Sequence, residues 1–125
     1  MDDSNIDLLI EHCLGGPLTD ELVEPKLGSL TREAFCDLFS RRVAHEFAAN
    51  RLSFEAADAA MNRLYSFGLR NSDSVIPPYT WDVYLAFDAG EYIRREDPES
   101  VDPAEKYTRP QVLEIVTRDN AGSSA

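Results

Sequence analysis

Two apolar stripes of helical period, parted by a two-residue break, constrain this chain more than any other feature. After Thr31, the residues Phe35, Leu38, Phe39, Val43 and Phe47 recur at spacings of three and four, with Arg32, Asp37, Arg41 and Arg42 largely on other faces. That spacing predicts a helix over about 31–49. Asn50-Arg51 interrupts it, and Ser53 opens a second stripe of Phe54, Ala57, Met61 and Leu64, with Glu55, Asp58 and Asn62 off it. Two long helices joined by so short a turn pack antiparallel.

Helix starts recur around this hairpin. Leu18-Thr19-Asp20-Glu21, Leu30-Thr31-Arg32-Glu33 and Leu52-Ser53-Phe54-Glu55 each offer a hydroxyl to the first free backbone N–H groups and an early acid to the positive end of the helix. Upstream, Ile6, Leu9, Ile10, Cys13 and Leu14 predict a short amphipathic helix stopped by Gly15-Gly16-Pro17. Residues 19–24 add a turn or two, limited by Pro25 and Gly28. The polar, proline-locked stretch 70–78 reads as a connecting loop. Trp81, Tyr84, Leu85, Asp88 and Tyr92 then share one helical face while Val83, Phe87 and Ile93 are apolar elsewhere, the pattern of a central helix buried on more than one side. Residues 96–107 form an exposed acidic loop. Thr108 and Gln111 have capping-box spacing for a last helix, with Val112, Leu113 and Val116 inward.

No period-2 strand pattern is present. The expectation is therefore an all-α, single-domain bundle over 1–125, with about four main helices and short N-terminal helical turns. Residues 1–4 and 120–125 are expected to fray. At 125 residues the chain can bury a real core without metal or disulfide staples. Its start, Met1-Asp2-Asp3-Ser4, lacks a basic region and a secretory apolar run, and no stretch is long and apolar enough to span a bilayer, so the expected location is the cytoplasm. In that reducing compartment Cys13 and Cys36 read most simply as buried thiols, a disulfide between them being the alternative.

Motifs for catalysis fail on geometry. His45-Glu46 is followed at the fourth position by Ala49 instead of a second histidine, so no zinc-protease site forms, and adjacent His12 and Cys13 lie about 100° apart on a helix. Cys36 and His45 are separated by about 13–14 Å of helical rise, beyond hydrogen-bond reach. Gly15-Gly16-Pro17 lacks the Lys-Ser/Thr ending of a phosphate loop. Asp88 with Glu91 or Asp82 is the best carboxylate pair for acid–base work, but without a cleft or histidine it reads as an acidic edge, with Asp88 expected to pair with Arg42 or Arg63. No catalytic, cofactor or metal residue is assigned.

Charge carries the functional reading. The chain has 23 Asp and Glu against 12 Lys and Arg, a net charge of −11. Residues 1–30 carry a net −6, 31–70 a net +1, 71–95 a net −2 and 96–125 a net −4. An acidic chain without a basic stripe does not bind nucleic acid directly. Arg41, Arg42, Arg51, Arg63 and Arg70 are expected to answer acids from the two ends of the chain, the alternative being that they face a partner of their own. Such a balance either keeps a domain dispersed or presents an acidic surface to a basic partner.

The stretch from Leu52-Ser53-Phe54-Glu55 to Tyr65 and Phe67, the run Trp81-Asp82-Val83-Tyr84-Leu85-Ala86-Phe87-Asp88-Ala89-Gly90-Glu91-Tyr92, and the closing Tyr107 to Val116 helix resemble the small all-helical bacterial immunity proteins of the colicin D type, over about residues 31–117. The resemblance implies a protein that covers the basic active-site cleft of a toxin cutting transfer RNA, with carboxylates where the substrate phosphates would lie. Its acids do not map one by one onto a motif. For a basic protein partner the expected contact set is Asp82, Asp88, Glu91, Glu96, Asp97, Glu99, Asp102 and Glu105, with Tyr92 and Tyr107 as aromatic anchors. The competing expectation is a helical scaffold or homodimer joined through Trp81, Tyr84 and Phe87.

Overall fold

A computed structural model describes residues 1–69 and 76–123 and shows an all-α single-domain bundle: α1 (Asp3–His12), α2 (Asp20–Leu27), α3 (Arg32–Ala48), α4 (Phe54–Leu69), α5 (Pro78–Asp88) and α6 (Arg109–Ser123), with a π-helical turn over Ala104–Thr108 leading into α6. No strand occurs among the described residues. Local chemistry sets most of the helix starts. The Thr19 hydroxyl accepts from Leu22 N–H at 3.3 Å, Thr31 from Ala34 at 3.0 Å and Ser53 from Ala56 at 3.1 Å, each satisfying an orphan donor of the first turn. Asn50, at φ 61°, takes the left-handed conformation that reverses the chain between α3 and α4.

The expected hairpin is present, and α3 is its central member. It packs against α1, α4, α5 and α6 and buries Phe35, Cys36, Phe39, Ser40, Val43, Ala44 and Phe47. Phe35 meets the edge of Phe67, and Phe47 that of Phe87, at centroid separations of 5.7 and 5.1 Å. In α4 the small residues Ala56, Ala57 and Ala60 let the helix approach its neighbours closely. The position expected for the Trp81 helix therefore belongs to α3. α5 buries one face only, Thr80, Val83, Ala86 and Phe87, and leaves Trp81 and Leu85 at the surface.

Both ends are more ordered than the sequence suggests. Asp3 and Ser4 are helical because Asp2 Oδ1 accepts from Asn5 N–H at 3.0 Å, and Arg42 clamps Asp7 through two hydrogen bonds of 2.8 and 2.9 Å. α2 passes through Pro25 to Leu27 instead of stopping early, since only the short end of the helix lies beyond the missing N–H, and Gly28 closes it with φ 59°. α6 continues through 120–123, held by Asp119, which receives the Tyr79 hydroxyl at 2.6 Å and His45 at 2.8 Å. Residues 124–125, expected to fray, and 70–75 of the expected loop lie outside the described residues.

The last helix also begins differently. Thr108 is not its cap: it is fully buried, and its hydroxyl donates to the Ala86 carbonyl at 2.7 Å. The wider π turn brings Thr108 and Ala104 against Gly90, where only a hydrogen fits. Ile115, with Val112, faces the core, and Leu113 is exposed.

Candidate functional site

Of the arginines expected to answer acids from the two ends of the chain, Arg41 and Arg42 do so. Arg51 pairs with Glu46 inside the hairpin, Arg63 forms no ion pair among the described residues, and Arg70 lies outside them. Arg32 reaches Asp20, Arg42 reaches Asp3 and Asp7, and Arg41 reaches Asp119. Among the carboxylates outside these ion pairs, three crowd together. Asp58 on α4, Asp88 at the end of α5 and Glu91 just beyond it converge, and among the described residues no Lys or Arg forms an ion pair with any of them. Glu91 accepts from the Asn62 amide at 2.9 Å.

Crowded carboxylates share protons. Burial first, then the hydrogen bond to Glu91 and the charges of Glu91 and Asp88, push the Asp58 carboxyl up to about 8. Asp88 is also raised, by burial and by Glu91. Burial opposes charge on Glu91, but hydrogen bonds from Asp58, Asn62 and Asp88 outweigh it and hold Glu91 below the ordinary carboxyl range. The trio thus keeps a proton at neutral pH, mainly on Asp58. Asp88 also lies at the negative end of the α5 dipole, where a carboxylate is disfavoured. Neither expected partner forms an ion pair with it: Arg42 belongs to Asp3, Asp7 and Glu46, and Arg63 has no ion pair among the described residues.

Beside the trio lies an aromatic stack. Tyr65 and Tyr84 overlap at 4.4 Å with an interplanar angle of 11°, and Trp81 stacks on Tyr84 at 5.6 Å. Trp81 is 39% exposed. On α4, Asp58, Asn62 and Tyr65 follow helical spacing, as do Trp81, Tyr84 and Asp88 on α5, so carboxylates and rings line one interhelical seam. Charges reach the rings: the Tyr84 phenol is raised by burial first, and then by Asp88, Tyr65, Glu91 and Asp58.

The remaining contact residues scatter. Asp82 is exposed on the α5 side facing α6, near Gln111, Glu114 and Arg118. Glu96 and Glu99 are exposed. Asp97, expected in an open loop, has a side chain only 6% exposed because Lys106 and the Tyr107 hydroxyl donate to it. Asp102 Oδ1 accepts from Ala104 N–H at 2.9 Å and starts the π turn, while Glu105 pairs with Arg109 at 2.5 Å. The segment 96–107 is therefore less a free acidic loop than an internally braced one. Tyr107 lies 3.5 Å beneath the Arg94 guanidinium, and the exposed ring of Tyr92 lies 4.3 Å from the same group. Phe87, assigned to a homodimer face, is 1% exposed and belongs to the core.

Asp58, Asn62 and Tyr65 are the members that sequence reasoning missed. Their spacing of four and three is legible on α4, but a polar residue off an apolar stripe reads as solvated until the neighbouring helix is known. Neither histidine joins the seam: His12 faces the Pro17 carbonyl at 3.0 Å and His45 faces Asp119. Among the described residues no group of three or more His, Cys, Asp or Glu can hold a metal ion. Cys13 and Cys36 are buried and unpaired, their thiols pushed up by burial to about 12 and about 11. No helix of the described residues is long and apolar enough to cross a membrane. Comparison with models of protein families, with curated proteins and with solved structures gives no match for this chain.

Proposed function

We propose that this is an acidic binding protein that captures a basic protein partner, acting in the cytoplasm as an immunity protein that covers the active-site cleft of a nuclease-type bacterial toxin. The observation that supports the reading best is the trio Asp58, Asp88 and Glu91. Several acids of this chain, Asp7, Asp20 and Asp119 among them, pair with its own arginines, and others stand singly. Yet here three carboxylates crowd together with no Lys or Arg of the described residues paired to them. Local conflicts of that kind are expected where binding sets the sequence. A cation delivered by a partner would release the shared proton and remove the repulsion.

A nuclease cleft is basic because it holds phosphates, and an acidic surface is steered to it at rates that fall with salt. The test is co-expression with the product of the adjacent reading frame, where that product ends in a basic nuclease-like domain. The expected result is a 1:1 complex that abolishes RNA cleavage and associates more slowly as salt rises. Full nuclease activity in the presence of excess protein would refute the proposal.

A further inference from the structure

We propose that the α4–α5 seam is the docking surface for an arginine-bearing segment of the basic partner, with a guanidinium seated on Asp58, Asp88 and Glu91 and planar contacts running along Tyr84 and Trp81. This rests on the reading of the chain as a binder of a basic protein, and adds where the partner sits and which cation it presents.

The chain supplies its own comparison. Among the described residues three arginines each serve both a ring and a carboxylate, as Lys106 does between Tyr107 and Asp97. Arg32 lies 4.1 Å from the Phe67 ring centroid and 3.0 Å from Asp20. Arg109 lies 4.2 Å from that of Phe47 and 2.5 Å from Glu105, and Arg41 lies 5.9 Å from that of Tyr79 and 3.6 Å from Asp119. The seam presents the same two ingredients, and among the described residues no Lys or Arg of the chain pairs with its acids.

Arginine suits this surface better than lysine. Its planar fork can bridge two carboxylates and stack on a ring, whereas an ammonium is a strongly hydrated point charge. The distance along α4 from Asp58 to Tyr65 is about 10 Å, room for an arginine and the residues next to it. A second copy of this chain fits poorly, because a two-fold contact through the seam would place one carboxylate trio near another.

The seam holds the only tryptophan of the chain, so Trp81 emission reports on it directly. Full-length protein is titrated with a ten-residue arginine peptide and a ten-residue lysine peptide at low salt. The arginine peptide should change Trp81 emission and bind about threefold or more tightly than the lysine peptide. The triple variant Asp58→Asn, Asp88→Asn, Glu91→Gln should weaken it about tenfold or more, while Glu96→Gln with Glu99→Gln should change it by less than about twofold. The triple variant relieves repulsion and keeps the fold, which circular dichroism checks. If the arginine peptide binds but the triple variant binds it equally well, the seam is wrong and the basic-partner reading stands. If neither peptide binds, both fail. A salt-insensitive homodimer that buries Trp81 also overturns the seam assignment.

Discussion

Asp58→Asn should stabilise this protein at neutral pH, where the folded chain already holds this carboxyl in its protonated form. Burial and the neighbouring Glu91 and Asp88 push the Asp58 carboxyl from 3.8 to about 8 in the fold. Between those values the folded chain holds a proton that the unfolded chain has released, so stability falls as pH rises through the window. Each pH unit costs about 1.4 kcal/mol when the difference is complete, or about 3.4 kcal/mol from pH 5 to 7.5. Water reaches Asp88 and Glu91 and the trio shares the load, so we expect on the order of half that, about 2 kcal/mol. Urea unfolding, followed by circular dichroism at pH 5, 6 and 7.5, measures it. Wild type should lose about 2 kcal/mol across the range relative to Asp58→Asn, and the variant should be the more stable at pH 7.5. Comparing the two cancels the titrating groups outside the trio. Parallel pH profiles, or a variant less stable at pH 7.5, would refute the account of a proton held by crowded carboxylates.

Other substitutions probe how the surrounding fold holds the seam. A Cβ at Gly90 would come within 2.3 Å of Thr108 Oγ1 and 3.0 Å of the Ala104 backbone, so Gly90→Ala should cost about 2 kcal/mol or more, read as a lower thermal midpoint. Asp119, 10% exposed, receives Tyr79 and His45, and burial of its carboxyl is outweighed by those hydrogen bonds and by Arg41, which hold it below 3.8. Its contribution is therefore present above pH 3.8 and lost as pH falls through its lowered value. Asp119→Asn should cost about 2 kcal/mol at pH 7 and flatten the acid limb of the stability curve in urea titrations. With thiols at about 12 and about 11, native protein at pH 8 should react with a thiol reagent far more slowly than the same chain in denaturant, which should release two thiols.

The hairpin was legible because its information is local. Phe35, Phe39, Val43 and Phe47 mark one face by spacing alone, and Thr19, Thr31 and Ser53 cap the helices that their positions announce. The Trp81 helix misled because apolar residues on several faces signal burial only if neighbours cover them all. Here Tyr65 and Tyr84 share their apolar surface with Trp81 and leave that side at the solvent boundary. The segment 96–107 misled for a related reason. Its acids were counted without the bases that fold back on them, Lys106 onto Asp97 and Arg109 onto Glu105.

The sequence by itself determined the class of fold, the helix starts and the inward face of α3, since hydrogen bonds within a turn and a 3.6-residue period depend on near neighbours. It also determined the acidic excess and showed that Asp88 and Glu91 lie on a short stretch together. Only the tertiary structure decided that Asp58, thirty residues earlier, meets them. Helical phase tells which side of a helix turns inward, but not which neighbour lies beside its polar edge. That choice is made by the packing of α4 and α5 on α3, which burial of Phe67, Val83 and Phe87 drives without regard to the carboxylates it brings together.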